Sequence, residues 1–525
     1  MRRGVDGGGW ALVVEARDLD GHKKQVVIPR EKLAECRELG KLLAAAGIEV
    51  DFECIKELTT YFNKMRPSVR EVMVAHVGWQ HFSGGRVCFV TPEGTIGGGA
   101  DDRRYVLDEG ARNVVTKAMR SAGTLKDWQE QVGGPLADND LAVFLMCFPL
   151  GVTFAGLLDT EIGGLHIYGL RGRGKTTLLQ LAASVWGSGI DPAAGEGGSM
   201  VATWNTTMNG LEASAAAHRG VPLYLDELHL VDRKFLGNAI YMLTQGEGKR
   251  SMRADRTARP PHAIRTGFIS AGELSVRDAL ESGGANVYGG MIVRCADIPL
   301  RDEDCPNADY VNNLKAVCAR YYGTAGPAFV KQITEMVNDG GDEGPWTRND
   351  LRDFWLATLH KVTDGLDLTD DGQRVAKRFA LAAAAGEIAC AESDTFPFEP
   401  GTPTRAAREI LNRWSRDFRT LSEAQRAIAN IAKFIQRNRR RFSQVNGTTE
   451  SPVANQVGFH VSGVRSARLG DSFYAFYTQG LTEALAGCNY DAALRELKSR
   501  GLLRLDKDGR HPKLTQKNSE RERVI

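Results

Sequence analysis

Lys175 and Thr176 close the octapeptide GLRGRGKT (residues 169–176), which fits the spacing G-x-x-x-x-G-K-[ST]. Gly169, Gly172 and Gly174 free the backbone to turn successive N–H groups toward phosphate oxygens. Lys175 then reaches the β- and γ-phosphates, the Thr176 hydroxyl is placed to ligate Mg²⁺, and Thr177 is expected with them among the nucleotide-binding residues. Further on, VPLYLDEL (221–228) is an apolar run ending in two carboxylates. Asp226 would hold Mg²⁺ through water beside Thr176, and Glu227 would polarise the attacking water as general base. In TGFISAGE (266–273), Ser270 is expected as the sensor that helps orient that water. The ligands implied are ATP and Mg²⁺. The alternatives are a chance glycine turn, a chance acidic strand end and an ordinary serine. Against the first stand the flanks, an apolar LHIY before the loop and an Ala/Leu-rich helical stretch after it.

Charge is the next signal. Residues 249–265 hold six Lys/Arg and one Asp, a local balance of +5 in 17 residues. Residues 255–258 can make the turn of a β-hairpin placed before the Ser270 strand. Lys249, Arg250, Arg253, Arg256 and Arg259 could then grip a single-stranded DNA backbone without reading its sequence. The other reading is a solvated basic loop, or arginines buried between subunits. Arg294 follows an apolar run, with a strand expected over 287–298, and is the candidate arginine finger, with Arg277 in reserve. An internal salt bridge is the alternative for Arg294.

These residues need a scaffold. Two strands aiming their carboxyl ends at one nucleotide require an open α/β sheet with the site at the strand ends. The 525 residues are enough for several domains. We expect a β-rich docking or oligomerisation domain over 1–105 and a helical bridge over 106–160. The ATPase core with its hairpin takes 161–330, a helical lid with basic helices 331–440, and a winged-helix-like domain and tail 441–525. The first contains strands near 10–15 and 24–29 around Asp20-Gly21, one helix over 29–46, and strands over 69–79 and 86–90. His76 and His81 read as structural. The apolar run 141–150 is expected as a buried helix too short for a membrane. Residues 405–441 carry eleven Lys/Arg against three acids, either a DNA-facing surface or a solvated helix face. Residues 489–515 read as helix, turn and β-wing, with Asp508-Gly509 at the wing tip. Nine scattered cysteines without a C-x-x-C pair argue for a reducing compartment, and the first residues lack the apolar core of a signal peptide, so a cytoplasmic protein is expected.

With GLHIYGLRGRGKTT, WNTTMNGLE, LYLDELHLVD, YMLTQGEGKRSMRADRTARP, FISAGELS and VRCADIPL in hand, the chain resembles a known family. This is the phage- and plasmid-associated, helicase-like family labelled domain of unknown function nine-twenty-seven. The likeness runs over roughly residues 9–515. It implies an AAA+ core related to mini-chromosome-maintenance and superfamily-three helicases, a hexameric ring, 3′→5′ movement and hairpins in a central pore. It also implies a lid helix carrying a sensor-2 arginine, Arg374 in preference to Arg378. No primase or Toprim segment precedes the core, so any primase activity is expected to come from another protein, a separate primase or replication protein. The expected function is an ATP-dependent replicative DNA helicase of a mobile element. The rival is an ATP-switched assembly protein that does not unwind.

Overall fold

The N-terminal hairpin forms where apolar and polar residues alternate. In the computed structural model, β1 (Arg2–Gly4) is followed by β2 (Ala11–Arg17) and β3 (Lys23–Pro29). The last two pair antiparallel from Ala11↔Pro29 to Arg17↔Lys23. The Asp18 carboxylate accepts the backbone N–H groups of Asp20 and His22 at 3.1 and 2.8 Å, and Gly21 supplies the positive φ of 81° that closes the turn. The structure describes residues 1–4, 9–51, 53–82, 85–98, 104–108, 114–191, 198–248, 251–252, 258–259, 262–282, 289–340, 344–391, 395–419, 423–446, 449–450, 453–462, 472–488, 490–499 and 502. They fall into two units, residues 1–276 with 293–411, and residues 277–292 with 412–525. That division lies inside the 331–440 segment rather than at its end.

The helix expected over 29–46 is a 3₁₀ turn (Arg30–Ala34) followed by α1 (Cys36–Ala45). A second helix, α2 (Ile55–Lys64), was not expected from the sequence. Its two threonines are poor helix formers, and tertiary burial of Ile55 and Phe62 against Leu12, Ile28 and Leu39 holds it. The stretch 69–79 is two strands, β4 (Glu71–Val74) and β5 (Gly78–His81). With β6 (Val87–Thr91), β7 (Gly94–Ile96) and β8 (Arg104–Leu107) they complete two sheets, ordered β3-β2-β1-β4-β8 and β5-β6-β7. The small sheet is seated on the core. The Trp79 indole donates to the Thr153 carbonyl at 2.8 Å, and the Phe89 ring stacks on Trp186 at 5.4 Å.

After α3 (Val114–Lys117) and α4 (Leu125–Trp128) comes α5 (Asp140–Leu158). Its 19 residues carry the apolar run past 150, so by length and composition it could cross a membrane, contrary to the expectation of a shorter helix. Instead, 94% of its apolar window is buried within the protein. The core then alternates β9 (Gly164–Tyr168), α6 (Lys175–Ser184), β10 (Val201–Thr203), α7 (Met208–Ala217), β11 (Leu223–Asp226) and α8 (Arg233–Thr244). Next come β12 (Ser251–Met252), β13 (Ala258–Arg259), β14 (Phe268–Gly272), α9 (Val276–Ser282), α10 (Gly289–Arg294) and β15 (Cys295–Pro299). Five strands form one parallel sheet, ordered β10-β11-β14-β9-β15. All their carboxyl ends therefore share one edge. Strands β12 and β13 pair antiparallel as the expected hairpin, continued by a bridge between Glu247 and Ala263. Lys249, Arg250, Arg253 and Arg256 lie outside the described residues, and of Arg259 only the backbone is described. The strand expected over 287–298 is corrected: residues 289–294 are helical, and the strand begins at Cys295.

Helices α11 (Ala308–Cys318), α12 (Ala325–Asn338), α13 (Arg348–Thr363) and α14 (Asp370–Cys390) follow, with Phe379 of α14 packed on Phe144 of α5 at 4.6 Å. Beyond α15 (Thr402–Arg419), the second unit holds α16 (Glu423–Arg437), β16 (Phe442–Asn446), β17 (Thr449–Glu450), β18 (Gly458–Ser462), β19 (Ser472–Phe476), α17 (Thr478–Ala484) and α18 (Tyr490–Ser499). Its core gathers Ala427, Phe442, Phe476 and Leu481, and its sheet runs β17-β16-β18-β19. The wing expected around Asp508-Gly509 lies outside the described residues.

Candidate functional site

Strand β9 delivers the glycine loop to the carboxyl edge of the sheet. Gly172 and Gly174 hold φ of 75° and 90°, where a side chain would be strained. At Gly174 a Cβ would also lie 2.9 Å from Cys305 Sγ and Val311 Cγ2. Gly174 is the N-cap of α6 and offers no side chain, so the first N–H groups of that helix are not capped from within. They face a cavity of about 310 Å³ lined by the glycine loop with Arg171, by Lys175, Thr176 and Thr177, and by Asp226, Glu227, His229 and Glu273.

Within it, Thr176 Oγ1 donates to Asp226 Oδ2 at 2.7 Å. The other carboxylate oxygen of Asp226 accepts the Glu227 backbone N–H at 2.8 Å. Asp226 is thus held at both oxygens beside a hydroxyl, a pair of hard oxygen donors of the kind Mg²⁺ takes. Glu227 itself adopts the left-handed conformation (φ 58°, ψ 60°), unusual for a non-glycine residue and costing of order 1 kcal/mol. That turn swings its carboxylate to the cavity. Lys175 Nζ donates to the carbonyls of Gly169 and Leu170 at 2.9 and 2.7 Å. Burial holds the Lys175 ammonium below its ordinary range, against the opposite pull of Glu273 and Asp226. An incoming anion would be favoured there. The donor set and the uncapped cradle fit a nucleoside triphosphate with Mg²⁺.

Other expected residues are placed elsewhere. Ser270 is in the middle of β14, fully buried, with its hydroxyl engaged by His166 and Trp204 at 2.9 and 2.8 Å. It does not line the cavity, so its reading as a water-orienting sensor is corrected. Pairing puts Ser270 level with His166, whereas Gly272 is level with Tyr168, the last residue before the glycine loop. The strand tip is therefore two residues later, and Glu273 stands there. Glu273 is not among the residues expected at the site; an acid directly after the β14 strand was its sequence signal.

Arg294 ends α10, immediately before the amino end of β15, and so stands at the edge of the sheet opposite the cavity. Its guanidinium lies 4.8 Å from the Tyr241 ring centroid. The reserve, Arg277, lies over the Phe418 ring at 6.0 Å within the second unit. Arg378 is also at the amino edge. It is buried, donates to the Val293 carbonyl and pairs with Glu161 at 2.7 Å. Arg374 is one helical turn away, exposed and 3.9 Å from Asp371. Neither lines the cavity, so a sensor-2 contact within the same chain is corrected for both. Of the basic stretch 405–441, Arg405 reaches Asp140 at 3.4 Å and Arg441 makes a two-pronged pair with Glu483 at 2.7 and 2.9 Å. Arg437, Arg439 and Arg440 remain exposed. His76 has the structural role expected, accepting from Arg219 at 2.9 Å.

The five-stranded parallel sheet, with the cavity at its strand ends, defines a mixed α/β fold. Residues 2–262 match the family described as Domain of unknown function (DUF927). That span takes in the glycine loop, Asp226 and Glu227, and stops well short of residue 515. No curated protein matches the chain. Among solved structures, "SCCmec type IV Cch - active helicase" is similar over 98% of this chain and 92% of that one, with a TM-score of 0.67 and 17% identity. At that identity the likeness is one of fold.

Proposed function

We propose that the chain is an ATP-dependent DNA helicase of a mobile genetic element, acting in the cytoplasm as a ring of identical subunits on single-stranded DNA. The observation that carries this reading is the convergence of Lys175, Thr176, Asp226, Glu227 and Glu273 on one cavity at the carboxyl ends of β9, β11 and β14. Bound Mg²⁺·ATP supplies a γ-phosphate whose charge the metal partly neutralises. Lys175 and the N–H groups of α6 hold the phosphates, and Thr176 with Asp226 holds the metal. Glu227 takes the proton of the attacking water. Arg294 faces away from its own cavity, which favours its use as a finger on a neighbouring subunit's nucleotide, and so a closed ring. The hairpin between α8 and β14 supports a DNA grip by Lys249, Arg250, Arg253, Arg256 and Arg259. The 3′→5′ direction comes with the family resemblance.

The test is ATP hydrolysis and unwinding of a forked duplex by the wild type beside Lys175→Ala and Arg256→Ala. Hydrolysis stimulated by single-stranded DNA, with unwinding lost in both variants, is the expected outcome. If ATP alters only assembly size and the fork stays intact at every salt concentration, the switch reading replaces this one.

A further inference from the structure

A buried chain of hydrogen bonds runs beneath the cavity, from the β11 tip through the middles of β14 and β9 to the turn after β14. Trp204 follows β10, and its backbone N–H donates to the Asp226 carbonyl at 3.0 Å. Its indole Nε1–H donates to Ser270 Oγ at 2.8 Å. Ser270 Oγ is 2.9 Å from His166 Nδ1, and His166 Nε2 is 2.9 Å from the Leu274 carbonyl. The polarity is forced. A carbonyl only accepts, so Nε2 carries the ring proton. The imidazole is neutral, since full burial pushes its pKa down to about 4, so Nδ1 accepts and the Ser270 hydroxyl donates. The Ser270 oxygen is then free to receive the indole N–H.

Trp204, Ser270 and His166 are each at most 1% exposed, and none lines the cavity. What they touch does. Leu274 follows Glu273 directly, and Asp226 is the β11 tip. At Gly272 a Cβ would lie 2.9 Å from Leu228 Cβ and 3.1 Å from His166 Cε1. The imidazole is therefore packed directly under the turns carrying Glu227 and Glu273.

We propose that Trp204, Ser270 and His166 are positioning residues for hydrolysis, a brace that sets Glu227 and Glu273 against the phosphate-holding loop. The inference rests on the ATPase reading above. It separates two functions of one site: the glycine loop and Lys175 bind nucleotide without the brace, while the two carboxylates depend on it for their placement.

The experiment compares steady-state ATP hydrolysis and binding of a non-hydrolysable ATP analogue for wild type, Trp204→Phe and Ser270→Ala, each checked for folding by circular dichroism. Trp204→Phe removes the N–H but keeps an aromatic ring, at the cost of a smaller side chain; Ser270→Ala opens the chain at its centre. We expect kcat to fall about tenfold or more, as small misplacements of reacting groups do, with analogue affinity within about twofold of wild type. Trp204→Phe is also combined with Glu273→Ala. If the brace acts through Glu273, the tryptophan change costs far less in that background, a non-additivity that general loosening of the fold would not produce. Unchanged kcat in both brace variants, or fully additive effects in the pair, overturns the proposal while leaving the ATPase reading intact. Absence of hydrolysis by the wild type overturns the ATPase reading and takes the brace with it.

Discussion

The first unit is expected to unfold in mild acid, because it buries two neutral histidines and partly buries a third. Burial holds His76, His166 and His218 each at about 4. Each has a geometry that resists a second ring proton. His76 Nδ1 is bonded to the Val77 carbonyl, and a proton on Nε2 would meet the Arg219 guanidinium 2.9 Å away. His166 would lose the Ser270 hydroxyl as donor. His218 donates Nδ1–H to the Ser214 carbonyl at 2.6 Å, and its Nε2 is buried without a partner, so a proton there would be stranded.

The sign follows from linkage. The unfolded chain binds these protons near pH 6.5 and the folded one only near 4, so stability is intact above pH 6.5 and is lost as pH falls toward 4. At pH 5 each histidine removes about 2 kcal/mol, and about 3 kcal/mol at pH 4. Three together remove roughly 6 and then 9 kcal/mol, comparable with the 5–15 kcal/mol of a typical domain. Lowered carboxylates such as Asp127 and Asp350 titrate only below that window, so they do not mimic it. The assay is the denaturant midpoint followed by tryptophan fluorescence from pH 7.5 to 4.5. A midpoint falling steadily below pH 6.5 is expected, with His218→Phe losing about one third of the slope. A flat midpoint down to pH 4.5 would refute the reasoning.

Further substitutions separate the site from its surroundings. Glu227→Gln should retain ATP binding, measured by calorimetry, while hydrolysis falls by about 10² or more, since the water loses its base. Thr176→Val removes the donor to Asp226 and the metal-facing hydroxyl, so Mg²⁺-dependent nucleotide binding should weaken about tenfold or more in a titration at fixed ATP. Arg378→Ala should cost about 1–3 kcal/mol in a denaturant titration, because the Val293 carbonyl loses its buried donor. Arg374→Ala, on the exposed turn beside it, should leave both stability and ATP affinity of the single chain unchanged.

The sequence by itself settled what is local. The loop before α6 is written in glycines whose positive φ strains a side chain, and the helix after it in Ala and Leu. Strand β11 is an apolar run with Asp226 and Glu227 at its end, and the first hairpin is alternation around Asp20-Gly21. Each of these rests on neighbours within a few residues. Tertiary structure decided the rest. Whether Ser270 or Glu273 meets the cavity depends on which residue of β14 lies opposite Tyr168, a pairing made across more than a hundred positions of chain. Whether Arg378 closes over phosphate or braces the far edge depends on how α14 lies against α5, and its own helical pattern is the same in either case. Met291, Ile292 and Val293 suit a strand by propensity, yet the chain coils there and starts the strand only at Cys295. Spacing along the chain specifies side-chain types and local turns, whereas the edge of a sheet to which a charge is delivered is fixed only when distant strands choose their register.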